Sequence, residues 1–305
     1  MTAPSIHRES RRRLVACSEI DHHVADLTMT ASADVTLQRL QDKLAQADQW
    51  LPIDGDPRLS LGTLVETNSS GPLRLGFGAW RDLLLGSQFI TQNGQLITAG
   101  GRTMKNVAGY DLTKFVIGQH GVFAKVQTIT TRTYKRPAAA LLASFAESDQ
   151  LTGELLPTPC RPHWSMLADN KLYCGYLGNE HAINFYESQV RRREPREVKR
   201  QSLQDDIDFR AAHWLPERTS LTFRAAVPPS RILEFAKRAG LSQYAADAAF
   251  GIVVGPYSET DKFNLCQAAD AVGGKVFFAQ DAQNFYGATG PEMELLNRLQ
   301  SAFNA

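Results

Sequence analysis

Half of the glycines of this 305-residue chain, eleven of 22, fall between Leu61 and Gly121, at positions 62, 71, 76, 78, 86, 94, 100, 101, 109, 118 and 121. A segment so rich in residues without a Cβ is a poor host for long helices. It suits backbone that turns tightly and repeatedly, or that lies directly against another surface or a ligand. Within it, residues 89–91 and 95–97 flank Asn93-Gly94, which predicts a hairpin closed by a type I′ turn, because both central residues of that turn need positive φ. A strand rich in Val, Ile and Thr follows over residues 122–134 and stops at Arg136-Pro137. The spacing places a domain boundary there, giving residues 1–137 and 138–305.

The flanks obey simpler rules. Upstream, residues 14–16 and 27–31 alternate as two short strands, and Thr36 caps a helix whose Leu37, Leu40 and Leu44 form one apolar stripe. Downstream, strand-like runs (139–145, 171–177, 220–227, 250–254, 275–279) alternate with helix-like runs (182–190, 230–239, 259–272). This doubled strand–helix–strand order predicts a ferredoxin-like α+β cap with helices on one face. The run Arg191 to Arg200, six basic and two acidic side chains, reads as a solvated link between its halves or as a docking patch for an acidic partner.

At 43% apolar and 21% charged residues the chain is globular in class, and 33 basic against 32 acidic residues leave a formal charge of +1. No net field draws in nucleic acid or an anionic membrane, and no apolar run is long enough to span a bilayer. Cys17, Cys160, Cys174 and Cys266 lack the paired spacings of zinc or iron–sulfur sites, and none of the seven histidines has a metal spacing. Residues 5–13, ahead of Leu14-Val15-Ala16-Cys17, are polar and charged where an export signal needs an apolar run, so the expected location is the cytoplasm.

No nucleophile, base and acid stand in a recognisable order, so the chemistry is expected from a cofactor or another subunit. Leu61-Gly62-Thr63-Leu64-Val65-Glu66-Thr67-Asn68-Ser69-Ser70-Gly71-Pro72 ends a short helix in small hydroxyl and amide residues, either an ordinary turn or a set of exposed amides for an anionic, oxygen-rich ligand. Gly100-Gly101 leads into Lys105-Asn106-Val107-Ala108-Gly109-Tyr110-Asp111, an apolar stretch, and Gly118-Gln119-His120-Gly121. Lys105, Asn106 and Tyr110 are polar enough to reach substrate or cofactor; equally, Gly109-Tyr110-Asp111 is a turn whose Asp111 caps the next helix. Arg81-Asp82 reads as a structural ion pair rather than a catalytic one.

These motifs together resemble the E subunit of glycolate oxidase, within the vanillyl-alcohol-oxidase (p-cresol methylhydroxylase, PCMH) type of flavoproteins; Trp50-Leu51-Pro52, Gly71-Pro72, Arg81 to Gly86 and Gly290-Pro291-Glu292 fall in the family's order. The resemblance implies an α+β chain with a truncated PCMH-type FAD-binding domain, lacking the N-terminal phosphate-loop lobe, followed by the cap. It also implies that Thr63, Asn68, Ser69 and Gly71 lie against the isoalloxazine and pyrophosphate of FAD, and that Gly118, Gly121 and the strand at Val126 lie along its ADP half. Two departures stand out. Val65-Glu66 replaces the family's Gly-Gly and brings a carboxylate toward the flavin, and residues 121–126 replace Gly-Thr-Leu-Gly-Val-Ile, with Lys125 either meeting phosphate or facing solvent. By resemblance the chain is the FAD-binding subunit of an oxidoreductase complex acting on glycolate or a related 2-hydroxy acid, with a catalytic flavoprotein subunit and an iron–sulfur subunit as partners. The alternative is a non-catalytic scaffold that keeps the fold without tight FAD binding.

Overall fold

The computed structural model describes residues 19–101, 112–148, 150–214, 222–278 and 291–304. The predicted strand at residues 14–16, Cys17 and the motif from Lys105 to Asp111 lie outside these residues.

The first unit is built on a five-stranded antiparallel sheet of β1 (Ile20–His23), β2 (Thr28–Ser32), β6 (Ala124–Arg132), β4 (Leu84–Thr91) and β5 (Leu96–Gly100), in that spatial order. A two-stranded ribbon, β3 (Gln49–Trp50) with β7 (Tyr134–Lys135), flanks it. Helix α1 (Leu37–Ala45) starts where predicted, with the Thr36 hydroxyl accepting the Arg39 N–H at 3.3 Å. Its stripe of Leu37, Leu40 and Leu44 is buried against Met29, Ala31, Ile129 and Leu61. The Gln41 carboxamide then grips Leu51 by both main-chain groups, at 2.7 and 3.1 Å, and so fixes the path out of β3. Three short helices follow, α2 (Leu61–Glu66), α3 (Arg74–Phe77) and α4 (Trp80–Leu83), as the glycine density requires.

Three local expectations are corrected. The β4–β5 hairpin forms, but only Gly94 (φ +83°) is left-handed, and its N–H bonds Thr91 O at 2.9 Å; Asn93 keeps negative φ, so the turn is a longer loop closed by glycine and not type I′. Leu27 is not in a strand. At φ +51° and 44% exposed, it forms the β1–β2 turn. Arg81 and Asp82 make no ion pair: the Asp82 carboxylate accepts the Ala79 N–H at 2.9 Å and caps α4, a short-range bond that an acidic residue at the third helical position is well placed to make.

The second unit holds an eight-stranded antiparallel sheet assembled from two βαββαβ repeats. The first runs β8 (Ala139–Ala146), α5 (Leu151–Leu155), β9 (Trp164–Ala168), β10 (Lys171–Gly178), α6 (Glu180–Arg191) and β11 (Glu197–Gln201), in spatial order β11-β8-β10-β9. After α7 (Leu203–Trp214), the second runs β12 (Thr222–Ala226), α8 (Ile232–Ala239), β13 (Ala245–Asp247), β14 (Ile252–Pro256), α9 (Lys262–Ala271) and β15 (Lys275–Phe278), in order β13-β14-β12-β15. Each has the ferredoxin-like order, and edge strands β9 and β13 join them, Leu167 opposite Ala246. Helix α10 (Pro291–Asn304) follows.

The helices α5, α6, α8 and α9 cover one face through Leu155, Ile183, Phe235 and Leu265. The other face, with Trp164, Met166, Ile252 and Val254, packs on α7 and on Trp50 and Leu73 of the first unit. This second face creates the junction between units. The basic run is also corrected: its end is edge strand β11, paired with β8, and Arg200 reaches Glu187 at 2.7 Å and Glu180 at 3.4 Å on α6.

Candidate functional site

Two groups of polar residues lie where the glycine-rich segment meets its surroundings. One is the C-terminal end of α2. Ser60 caps this helix, its hydroxyl accepting the Thr63 N–H at 3.2 Å and lying 2.9 Å from the Thr63 hydroxyl. The helix ends in a left-handed Asn68 (φ +48°), which is exposed, and the Ser69 N–H turns back to Leu64 O at 2.8 Å. Residues 118–126 dock on this end: Gly118 N–H bonds Val65 O at 3.0 Å and His120 N–H bonds Glu66 O at 2.8 Å. Gly118, His120 and Gly121 have φ of +72°, +50° and +78°, a run that only small or turn-tolerant residues adopt without strain. The Gln119 carboxamide staples the turn, donating to Ala124 O at 2.7 Å and accepting from Phe123 N–H at 2.9 Å.

Glu66 closes the arrangement. Its carboxylate accepts the Val126 N–H at 2.9 Å, next to a bulge where β6 carries one extra residue, Gln127, opposite the Gln88–Phe89 step of β4. The adjoining helix thus supplies a side-chain acceptor to a strand amide. The structure therefore brings Gly118, His120 and Val126 to the C-terminal end of α2, which Asn68 terminates, while Thr63 lies a turn back with its hydroxyl against Ser60. Lys125, beside Val126, is exposed.

Ser69 and Gly71 belong as much to the second group, the junction. Ser69 O accepts the Trp80 indole N–H at 2.8 Å, and Ser70 O accepts that of Trp214 at 3.3 Å. A Cβ on Gly71 would sit 2.6 Å from both Asp54 Cβ and Trp214 Nε1, so close packing on α7 requires glycine there. Around it lies a buried charge chain. Asp54 accepts the Leu73 N–H at 2.7 Å and pairs with Arg210, whose Nε reaches Asp206 at 3.1 Å; Asp206 in turn accepts the Trp164 indole N–H at 3.0 Å. Burial pushes the Asp206 carboxyl up to about 7 and the Arg210 guanidinium down to about 9, which leaves Arg210 a cation at neutral pH. Beside this chain, Arg74 Nε bonds Asp247 at 2.9 Å.

Sequence reasoning missed the junction charges and Gln119. The i, i+4 pair Asp206–Arg210 was the available signal, but α7 itself was not read, because its apolar positions are interrupted by the acidic residues it buries.

Whether the end of α2 and the turn docked on it fit a flat, doubly phosphorylated cofactor is decided by their donors. Gly121 is exposed, and an added Cβ there would meet nothing within 4 Å; the side chain of Asn68, at the end of α2, is exposed as well, whereas the Thr63 hydroxyl lies against Ser60. These residues fit. The Val126 N–H, in contrast, is already taken by Glu66.

Residues 12–100 match the family model described as FAD binding domain. Over 121 residues the chain is 30% identical to mitochondrial D-lactate dehydrogenase [cytochrome] of Arabidopsis thaliana, covering 40% of this chain and 21% of that protein. Over 125 residues it is 32% identical to the glycolate oxidase subunit GlcE of Escherichia coli (strain K12), covering 40% of this chain and 36% of the subunit. The matched segments thus span well under two thirds of these relatives. Among solved structures, an alkyldihydroxyacetonephosphate synthase superposes with a TM-score of 0.65 at 12% identity over 94% of this chain and 64% of that one. At that identity the likeness establishes the fold, which is the PCMH-type FAD-binding fold. The resemblance to the glycolate oxidase E subunit holds, and FAD is the cofactor these similarities support. No helix among the described residues is long and apolar enough to cross a membrane.

Proposed function

We propose that this chain binds FAD along the edge made by Thr63, Asn68, Ser69, Gly118 and Gly121, with Gly71 and Val126 holding that edge in place. In this reading it is the FAD-binding subunit of a glycolate oxidase-like complex in the cytoplasm that oxidises a small 2-hydroxy acid. A catalytic flavoprotein subunit and an iron–sulfur subunit are its partners. The observation that carries the reading is the FAD binding domain match over residues 12–100, which includes the whole Thr63 to Gly71 turn. The bound flavin would supply a hydride acceptor; the chain's own residues bind and orient it.

A second reading, a scaffold that has lost tight FAD binding, is favoured by one contact: the Glu66 carboxylate occupies the Val126 amide, on the strand that the resemblance places along the ADP half. The two separate on the visible spectrum of the purified protein. Flavin absorption that survives gel filtration, or that builds saturably on adding FAD, supports the first; a colourless protein that gains no flavin band supports the second. Gly121→Val is expected to abolish FAD binding while the second unit stays folded, and unchanged FAD affinity would remove Gly121 from the site. Co-purification of a protein bearing an iron–sulfur chromophore tests the complex.

A further inference from the structure

Strand β11 ends the eight-stranded sheet on one side and pairs with β8 alone, so among the described residues the main-chain groups along its outer side meet no strand. Its side chains alternate between the two faces. Val198 packs against the core on the helical face, and Arg200 on that same face is held by α6, through Glu187 at 2.7 Å, Glu180 at 3.4 Å and Asn184 at 2.5 Å. Arg191, in the last turn of α6, is likewise held by Glu187 at 2.6 Å. The turn between α6 and β11 differs. Arg192, Arg193 and Arg196 are exposed there, and among the described residues no acceptor bonds their guanidinium groups. With Glu194 as the one carboxylate, residues 192–196 carry a net charge of +2 on a chain whose formal charge is +1 in all.

An open ladder and a cationic turn at its start select the same kind of partner. The ladder bonds an extended polypeptide, and the turn attracts carboxylates, which arginine forks meet two oxygens at a time. We propose that this edge is a docking surface for an extended segment of a partner protein, which adds a strand beside β11 and runs an acidic tail past Arg192, Arg193 and Arg196. A nucleic acid fits less well, because three arginines neutralise few phosphates and a phosphodiester chain cannot use the ladder. A second copy of this chain is disfavoured as well: antiparallel pairing about the middle of β11 sets Lys199 against Lys199, and like charges directly opposite destabilise a strand pair. The surface stands on charge and main-chain donors and does not depend on bound FAD.

The probe is a fluorescent peptide of sequence Thr-Val-Thr-Val-Glu-Glu-Glu, titrated with the purified full chain and followed by anisotropy. Saturable binding that weakens as sodium chloride is raised is expected. A variant carrying Arg192→Gln, Arg193→Gln and Arg196→Gln should bind at least tenfold more weakly at an unchanged melting temperature, because these guanidinium groups bond nothing in the fold. N-methylating alternate amides of the peptide tests the ladder without any change of charge, and it decides the question should the triple variant not fold. Only one of the two alternate sets faces β11, so methylating that set should weaken binding at least tenfold more than methylating the other. Absence of saturable binding to wild type, an equal effect of the two methylated sets, an unchanged dissociation constant in a folded triple variant, or tighter binding of an oligothymidylate than of the peptide overturns the proposal.

Discussion

At the residue scale Glu66 has the clearest single role. Its carboxylate accepts the N–H of Val126, beside the bulge at Gln127 in β6. Glu66→Ala removes the acceptor and leaves the Val126 N–H, itself buried, short of a partner, at a cost of about 1–3 kcal/mol. Glu66→Gln keeps a carbonyl oxygen in reach and should lose less, about 1 kcal/mol, since only the charge-assisted part of the bond is lost. Urea denaturation of the three proteins measures both. Equal loss in the two variants would mean that the charge, and not the hydrogen bond, matters. This role was not legible from the chain: a carboxylate read as pointing toward a ligand is instead consumed by a strand 60 positions along.

At the element scale, strands β9 and β10 show how one residue type fits a sheet to its neighbour. Trp164 is fully buried, and Gly175 is paired across from it; a Cβ on Gly175 would sit 2.0 Å from the indole. The ring therefore lies flat over the glycine, and its N–H is free to reach Asp206 on α7 at 3.0 Å. Gly175→Ala should push the ring away from Asp206 and destabilise the second unit by about 3 kcal/mol, at the upper end of overpacking costs. The loss should appear in thermal melts together with a change in tryptophan fluorescence; a melt within 2 °C or so of wild type would count against that packing. The longer elements were legible: the stripe of α1, the apolar runs of β8, β10 and β14, and the helices α6, α8 and α9. Strands β9, β11 and β13 and helix α7 were not. β13 is three residues long, β11 is a charged edge, and α7 buries Asp206 and Arg210 among its apolar positions.

At the scale of the whole molecule, the junction between units is held by buried charge as well as by apolar packing. Arg210→Leu leaves Asp54 and Asp206 buried without their cation, and a loss of about 3–5 kcal/mol is expected in urea unfolding. A variant that also carries Asp206→Asn should recover part of it, because one of the stranded carboxylates is gone. His163 adds a pH dependence. It stacks on Phe77 of α3 at 5.6 Å, and its Nδ1 accepts the Leu177 N–H at 3.1 Å, which fixes the neutral ring. Burial, helped by Arg161, holds it down to about 4 against an ordinary 6.5. The unfolded chain therefore binds a proton in this window that the folded chain does not. The stability His163 contributes is whole above pH 6.5 and drains as pH falls toward 4, by a total on the order of 3 kcal/mol. Asp206, pushed up by burial, runs the other way over the same range, so His163→Gln has to be compared with wild type at each pH. The gap between the two proteins should narrow steadily from pH 7 to 4; a constant gap would place the proton elsewhere.

The chain alone determined whatever depends on neighbours within a few positions: the Thr36 cap, the apolar periods, the glycine-rich turns at 94 and 118–121, and the doubled repeat. Each is set by local sterics and by which face of a short element sheds water. Only the tertiary structure decided what the polar residues bond. Gly71 is confined by Asp54 and by Trp214, whose indole bonds Ser70 from 144 positions away, and Glu66 meets Val126 of β6 from 60 positions away. A buried polar group takes the nearest unsatisfied partner in space, and nearness in space is what the linear order of residues does not contain.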